Sequence, residues 1–528
     1  MRPPSRRPPS QRPPSRRPAP LRLGLALLLA LAAAASGWAQ ARPLSAEARA
    51  TLGIDSEAEA ARYAEGRAQA LAFRLDAARA TFRDLAATGS LAGVYGLETT
   101  ALWRALMTED DDHYDRFYAL NDSLTALAGR VPEAEGGTVY VAIAKLHRAL
   151  AMGRQERYVR AGTSFKDACG RYRDLAAAPT PSPDALFGQG VCEVAAGAVP
   201  RQYRWLARLF GFRGSVASGL AKLEAAAEGD GAFAVEATIG LAISDATLNE
   251  RRAGSVDRLA ALAEDHPDSP PLAYLAGYHL DLDRRAPEAE AAFRRALAAM
   301  ESDEVQPMPT VRGHLGLVLF RQDAFDEAVP LLEDYVRTFR GRALKATAQL
   351  YAGLGREMLG DRRRAEAHYR RVRAARDYDA DLSAAREAET LLEAPMTEAD
   401  RALLLGRNAF DSGRYREAIT QLQPVLTNRD LAEDDRAEAA YRSGRAYQAL
   451  DEAAEALRHF QLAIDRPGDP LAKWGPWSLY HAGEVHEAEG DAGAARERYA
   501  RVLDNEAEFD YHKSLEQRTR AALERIGR

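Results

Sequence analysis

Six times in the C-terminal half of this 528-residue chain, a glycine is followed twelve residues later by alanine and four residues after that by a large apolar residue. The sets are Gly277/Ala289/Phe293, Gly316/Ala328/Leu332, Gly353/Ala365/Tyr369, Gly406/Ala418/Leu422, Gly444/Ala456/Phe460 and Gly483/Ala495/Tyr499. A glycine inside a helix costs up to ~1 kcal/mol against alanine, so its recurrence calls for a packing reason. The spacing predicts one helix carrying the glycine, a tight polar turn such as Asp411–Tyr415, and a second helix carrying the alanine. Small residues on facing helices let two axes approach near the lower end of the usual ~8–10 Å. The large residue is then expected to fill the space between adjacent hairpins. Steps between the alanines are 39, 37, 53, 38 and 39 residues, and the 53-residue step leaves room for an extra helix around Leu382–Glu393.

After residue 56 alanine, leucine, arginine and glutamate dominate, and runs of Val, Ile and Thr are scarce, which favours helix and leaves little material for strands. The expected fold is all-α, a solenoid of antiparallel helical hairpins. Tyr441–Pro470, with Gly444, Tyr447, Ala456, Phe460, Ala463 and Pro467, and Trp477–Leu503 resemble the tetratricopeptide repeat, although the steps exceed that family's 34 residues. Gly66/Ala78/Phe82 fits the same template upstream, and a charged amphipathic helix up to Ile526 suits an end cap.

The first forty residues are of another kind. Arg-Pro-Pro-Ser recurs three times, and then Leu23–Ala35 is an unbroken run of small and apolar residues followed by Ser36-Gly-Trp-Ala-Gln-Ala41. A cationic start, a short apolar middle and a small-x-small exit read as a secretory signal peptide, cut after Ala39 or Ala41. The run falls short of the ~17 residues a spanning helix needs; the alternative is a retained anchor. The first 39 residues hold seven arginines and no acid, so the remainder carries −13 rather than −6. Nucleic acid is therefore not an expected partner. Neither cysteine lies at the cleavage site, so lipid anchoring is not expected, and the protein is placed in the periplasm or outside the cell. Cys169 and Cys192 lie on helices flanking the turn at Thr180–Pro183. In an oxidising compartment they either form a disulfide or remain two buried thiols.

Gly211–Gly219 ("GFRGSVASG") has glycines in Gly214-Ser-Val-Ala-Ser-Gly219 at phosphate-loop spacing. Leu220 follows, however, with the lysine only at 222, and a helix pattern precedes it, so nucleotide binding is not expected. In Arg201–Arg213, Tyr203, Trp205, Phe210 and Phe212 interleave with four arginines. That pattern reads either as a short buried helix or as a segment touching a membrane surface. Pro200–Ala226 resembles the signature region of the tetratricopeptide repeat protein 39 family and its inclusion-body clearance relatives, through Pro200, Gly211, Phe212, Gly214, Gly219, Leu220 and Leu223. Ser215 stands where that family usually has an acidic residue. The resemblance implies a helical adaptor that binds proteins and performs no known catalysis.

Catalytic constellations are absent from the sequence: there is no His-Glu-x-x-His, no Gly-x-Ser-x-Gly and no cysteine pair at metal spacing. His481 and His486 are five apart, off the spacing of one helix face. Glu109–Asp115 reads as a solvated helix-capping turn before it reads as a cation site. No cofactor, metal or small-molecule substrate is expected. Function then rests on the concave face, lined by the glycine-bearing helices: Tyr274, Tyr278, Phe320, Arg407, Phe410, Tyr441, Arg445, Gln448, Trp477, Tyr480, Glu484 and Glu487. Aromatics among arginines suit a peptide or protein partner, although Arg407 and Arg445 stand where carboxylate-gripping repeats carry asparagine. The organisation expected is a signal peptide (1–41), a linker (42–56), an N-terminal hairpin region (57–230), the repeat solenoid (231–507) and a capping helix (508–528). The function expected is that of an exported, non-enzymatic scaffold. The alternative is a peripheral membrane protein using residues 201–213.

Overall fold

A computed structural model describes residues 44–132, 137–198, 214–248, 252–372, 379–466, 473–505, 509 and 512–527. The expected signal peptide and the basic-aromatic segment 201–213 lie outside the described residues. Among those residues the chain forms 25 helices and no strand, an all-α helical-repeat solenoid as the composition requires. Two compact units are present. One comprises Met1–Leu106 with Asp111–Arg258, the other Met107–Asp110 with Leu259–Arg528.

The first unit contains α1 (Ala46–Leu52), α2 (Glu57–Leu71), α3 (Leu75–Ala87), α4 (Leu91–Thr108), α5 (Asp111–Ala128), α6 (Gly137–Arg154), α7 (Tyr158–Leu175), α8 (Pro183–Gly197), α9 (Val216–Glu228) and α10 (Ala234–Leu248). The division between the units falls inside α11 (Arg252–Asp265). Within 42–56, read as a linker, Ser45 caps α1 by accepting from Ala48 N, and Leu52 and Ile54 are buried. The start of this unit is tied to its end. Arg67 donates to Ala232 O at 2.6 Å and to Glu236 Oε1 at 3.1 Å, and Ser45 Oγ donates to Asp230 O at 2.5 Å. The interior so enclosed is filled. Tyr95 packs on Tyr140 and Phe233, and Glu98 accepts from Asn121 at 2.8 Å and pairs with His147 at 2.9 Å. Cys169 and Cys192 are joined by a disulfide that links α7 to α8.

The second unit continues with α12 (Pro270–Leu282), α13 (Ala286–Ala299), α14 (Pro309–Arg321), α15 (Phe325–Thr338), α16 (Lys345–Met358), α17 (Arg362–Val372), α18 (Asp379–Glu393), α19 (Glu398–Asp411), α20 (Tyr415–Thr427), α21 (Glu433–Ala449), α22 (Ala453–Ile464), α23 (Trp474–Ala488), α24 (Ala492–Leu503) and α25 (His512–Ile526). Six antiparallel hairpins carry the six glycine sets, and α18 is the extra helix of the long step. The glycines have a sharper role than the spacing implied. A Cβ built on Gly277, Gly316, Gly353, Gly406, Gly444 or Gly483 would stand 2.5–2.9 Å from the large residue sixteen positions later. That residue lies on the glycine of its own hairpin and does not merely fill space between hairpins. A second regularity accompanies it. The residue seven after the glycine is left-handed in every set: Arg284, Asp323, Gly360, Gly413, Asp451 and Gly490, with φ between 58° and 84°. This residue reverses the chain between the two helices, and three of the six positions hold a non-glycine residue despite the strain.

Candidate functional site

Trp477 lies six before Gly483, and the inner helices of the second unit present the other eleven of the twelve expected groove residues at three positions relative to the glycine. Tyr274, Tyr441 and Tyr480 precede it by three, and Tyr278, Arg407, Arg445 and Glu484 follow it directly. Phe320, Phe410, Gln448 and Glu487 lie four beyond it. Sequence reasoning passed over the position two before the glycine, which holds His314, Tyr351 and His481. Each of these rings packs on residues of an earlier hairpin. His314 meets Tyr274 and Tyr278 edge-on at 5.3 and 5.5 Å. Tyr351 meets Phe320 at 4.7 Å, and His481 lies 5.9 Å from Tyr441. The recurrence of a planar ring at this position was available in the sequence as the signal.

Up to α19 part of the expected groove is drawn into the interior, while Tyr274, Tyr278 and Arg407 stay partly exposed. Phe320 and Phe410 are buried rather than presented to a partner. Asn408, itself buried, donates to Phe320 O at 3.0 Å and to Asp323 Oδ1 at 2.9 Å, and Arg414 donates to Arg321 O at 2.9 Å and to Asp323 Oδ2 at 2.7 Å. The Arg284 guanidinium lies 4.5 Å from the centre of the Phe410 ring. These contacts join α14 and the turns after α12 and α14 to α19 and the start of α20, skipping the hairpin α16/α17 and α18. Tyr351 is thereby held between Phe320 and Arg407, whose guanidinium sits 5.9 Å over its ring. The physical reason is a sharp turn of the superhelix: the inner ends of non-adjacent hairpins reach each other, so side chains expected to face a groove face one another.

The face of α21 and α23 is open by comparison. Tyr441, Arg445, Gln448, Trp474, Trp477 and Glu484 are all partly exposed. Arg445 donates to His481 Nε2 at 2.8 Å and lies 5.6 Å over Phe410, while its buried Nε has no hydrogen-bond partner. His481 Nδ1 is 2.6 Å from Glu484. Burial, then the Arg445 charge, push the His481 imidazole down to about 4. It is therefore neutral near pH 7 and accepts from Arg445. Burial works against the Glu484 carboxylate, but His481 and Arg445 hold it down to about 2, so it stays ionised. Trp474 packs on Tyr441 at 5.4 Å and carries two cations, Arg442 at 5.3 Å and Lys473 at 4.8 Å from the ring centre. Trp477 stacks on His481 at 5.8 Å and has Arg518 of α25 over it at 5.8 Å. Tyr480 is buried against Tyr499, and Glu487 is taken by Arg525 at 2.5 Å and by the Tyr499 hydroxyl at 2.9 Å. The end cap thus claims Glu487, and Tyr480 is taken into the core of its own hairpin.

The glycine-rich stretch is a helix joint in its described part. Gly219 lies against Gly190 O and Val194 of α8, where a Cβ would stand 2.7 and 2.6 Å away, and left-handed Gly214 lies against Glu193. Glu193 then accepts from Ser218 at 2.6 Å and Lys222 at 3.0 Å, a knot that pins α9 to α8. Among the described residues no group of three or more His, Cys, Asp or Glu side chains is gathered for a metal ion. No helix among them is long and apolar enough to cross a membrane.

No family model matches this sequence, and no curated protein sequence does. Solved structures that are similar in fold include the TPR2AB domain of yeast Sti1 in complex with pHSP90, 17% identical over 49% of this chain and 98% of that one, TM-score 0.22. Human IFIT1 with m7Gppp-AAAA is 17% identical over 79% of this chain and 91% of that one, TM-score 0.30. A tetratricopeptide repeat protein from Parabacteroides merdae is 12% identical over 56% and 98%, TM-score 0.23. At these identities and scores the likeness carries no argument about this chain. Its own hairpins show an all-α helical-repeat solenoid.

Proposed function

We propose that this chain is an exported, non-enzymatic repeat scaffold that holds a protein or peptide partner on the inner face of its last hairpins. The observation that carries this reading is the partly exposed row Tyr441, Arg445, Gln448, Trp474, Trp477 and Glu484, on the inner helices α21 and α23. Aromatic and arginine side chains of this kind dominate binding energy at interfaces. Export is supported by the apolar run Leu23–Ala35 with its small-x-small exit, and by a disulfide that an oxidising compartment would preserve. Kinship with the tetratricopeptide repeat protein 39 family belongs to the same reading. It is supported by Gly214, Gly219, Leu220 and Leu223, which build the α8–α9 joint.

The test is a photo-crosslinking residue at Gln448 on the inner face, and separately at the exposed Arg458 of α22 on the outer face. With the mature protein in an envelope extract, a discrete adduct is expected from position 448 and none from 458. Adducts from 458 alone would sink the reading.

A further inference from the structure

We infer that the outer face of α17 is a docking surface for an anionic phospholipid bilayer. The inference goes beyond the scaffold reading and does not depend on it. Of the six outer helices in the repeat hairpins, α13, α20 and α22 carry no net charge, α15 carries −3 and α24 carries +2. Helix α17 holds five arginines and one glutamate in 11 residues, a net +4, in a chain of −6 overall and −13 without its first 39 residues. At ~100° per residue, Arg363, Arg364, Arg370 and Arg371 fall within a sector of ~120°. All four are exposed, whereas Ala365, His368, Tyr369 and Val372 bury the opposite side. Arg364 pairs with Asp361 at 3.4 Å and Arg370 with Glu366 at 2.6 Å. Arg363 and Arg371 have no carboxylate partner among the described residues.

The patch continues past the helix. His368 of α17 meets Glu333 of α15 at 3.1 Å, so the two outer helices lie side by side. One turn beyond Glu333 the chain runs from Arg337 to Lys345 with four cations and no acid, and Arg337, Arg340 and Arg342 are exposed. Residues 337–345 and 361–381 together hold eleven cations and five acids, a net +6. A protein partner draws its affinity chiefly from aromatic anchors, and this face presents no ring, since His368 and Tyr369 are buried. A bilayer asks only for cations at its phosphate plane, which guanidinium forks match. Leu359, 49% exposed at the turn into α17, supplies an apolar contact for the headgroup boundary. The acidic remainder of the chain is repelled, so the patch also sets the orientation.

The test is co-sedimentation of the mature protein with sucrose-loaded vesicles of phosphatidylglycerol and phosphatidylcholine in about equal parts, against phosphatidylcholine alone. Residues 1–41 are left off because Leu23–Ala35 would enter any bilayer. Binding to the anionic vesicles only is expected, with its loss between about 20 and 300 mM salt. A basic residue near such a surface is worth about fivefold, so Arg363→Glu with Arg371→Glu should weaken binding about fiftyfold or more. Arg363→Lys with Arg371→Lys keeps the charge and should stay within about threefold, and Leu359→Asp should cost about threefold. Arg416→Glu with Arg458→Glu makes the same change of net charge on α20 and α22 and should stay within about threefold. Circular dichroism checks that each variant folds. Equal binding to neutral vesicles, no binding at about 20 mM salt, or equal loss from the α20/α22 pair would overturn the inference. So would loss on Arg204→Glu with Arg208→Glu but not on the α17 pair, which moves the contact to residues 201–213. Tighter binding of soluble polyglutamate than of vesicles at equal charge would also overturn it, making the face a site for acidic protein. The crosslink at position 448 reads the scaffold separately, so either reading can fail without the other.

Discussion

Replacing Gly444 by alanine tests the repeat at its physical root. The new Cβ would stand 2.6 Å from Phe460 Cδ1, 2.7 Å from Cε1 and 3.1 Å from Cγ, and Phe460 is fully buried. Carbon atoms rest at ~3.5–4.0 Å, so the ring must retreat by about 1 Å or the helices must part. Overpacking of this kind costs ~1–3 kcal/mol, while removing a helical glycine returns up to ~1 kcal/mol. The net expectation is ~1–2 kcal/mol of destabilisation. Gly162→Ala in α7 is the control: nothing lies within 4 Å of its Cβ, and it should stabilise by ~0.5–1 kcal/mol. Phe460→Ala alone should cost ~3–5 kcal/mol, and adding Gly444→Ala to it should cost nothing further, a coupling of ~1 kcal/mol or more. Repeat proteins do not unfold as one unit, so the readout is native-state hydrogen exchange of peptides within 433–464 for the cycle and within 158–175 for the control. If Gly444→Ala behaves like Gly162→Ala, or the cycle is additive, the glycine is not there for the ring and the reading of the repeat fails.

Asp451 is exposed and left-handed at φ 58°, so Asp451→Gly should stabilise α21/α22 by ~0.5–1 kcal/mol in the same exchange measurement, and Asp451→Val should destabilise it. Asn408→Ala removes a buried hydrogen bond to Phe320 O and a partly buried one to Asp323, and is expected to cost ~2–3 kcal/mol, lowering protection in α14 and α19 together while α23 is unchanged. Acid should weaken the C-terminal hairpins. The His481 imidazole is held near 4 in the fold and titrates near 6.5 once unfolded, so stability is lost as pH falls from 6.5 towards 4, by up to ~3 kcal/mol. His481→Gln should flatten that limb when urea midpoints are compared at pH 7, 5.5 and 4.5 by tryptophan fluorescence. Glu484, a third exposed, adds a smaller loss below pH 4.5. Denatured, unreduced protein should show no titratable thiol, and reduction should lower stability by roughly 3 kcal/mol for a 23-residue separation; two titratable thiols would refute the bridge.

The hairpins were legible because their cause is local. A glycine and a ring sixteen residues apart belong to one hairpin, and no other part of the chain is needed to explain them. The joint at Gly214–Gly219 was legible for the same reason: glycine spacing reports close backbone approach whatever follows. Helix α1 was not, because its seven residues carry little periodicity and are held by burial of Leu52 and by the Ser45 bond to Asp230. Nor was the pairing of Arg67 with Glu236, 169 residues apart. Each taken alone is an ordinary charged residue on a helix.

The site was only half legible, and the reason is curvature. Register placed Phe320, Phe410 and Tyr441 alike on inner helices, and that placement needs only the 3.6-residue period. Whether an inner side chain meets a groove or a neighbour depends on how sharply successive hairpins turn, which accumulates from small rotations at every packing surface. Pro309–Arg321 and Glu398–Asp411 turn enough for Asn408 to reach Phe320 O, so Phe320 and Phe410 became core. Past α21 the first polar contact of that kind runs between neighbours, Arg445 to His481, and the tryptophans beside it keep part of their surface. A single residue reports the difference. Asp323 is a strained left-handed residue with two long-range partners, whereas Asp451, its equivalent three glycine sets later, carries the same strain on an exposed side chain. Where the turn residue has become a clasp, Phe320 and Phe410 are core; where it has not, Tyr441, Trp474 and Trp477 keep part of their surface, and that is the surface the proposed scaffold would use.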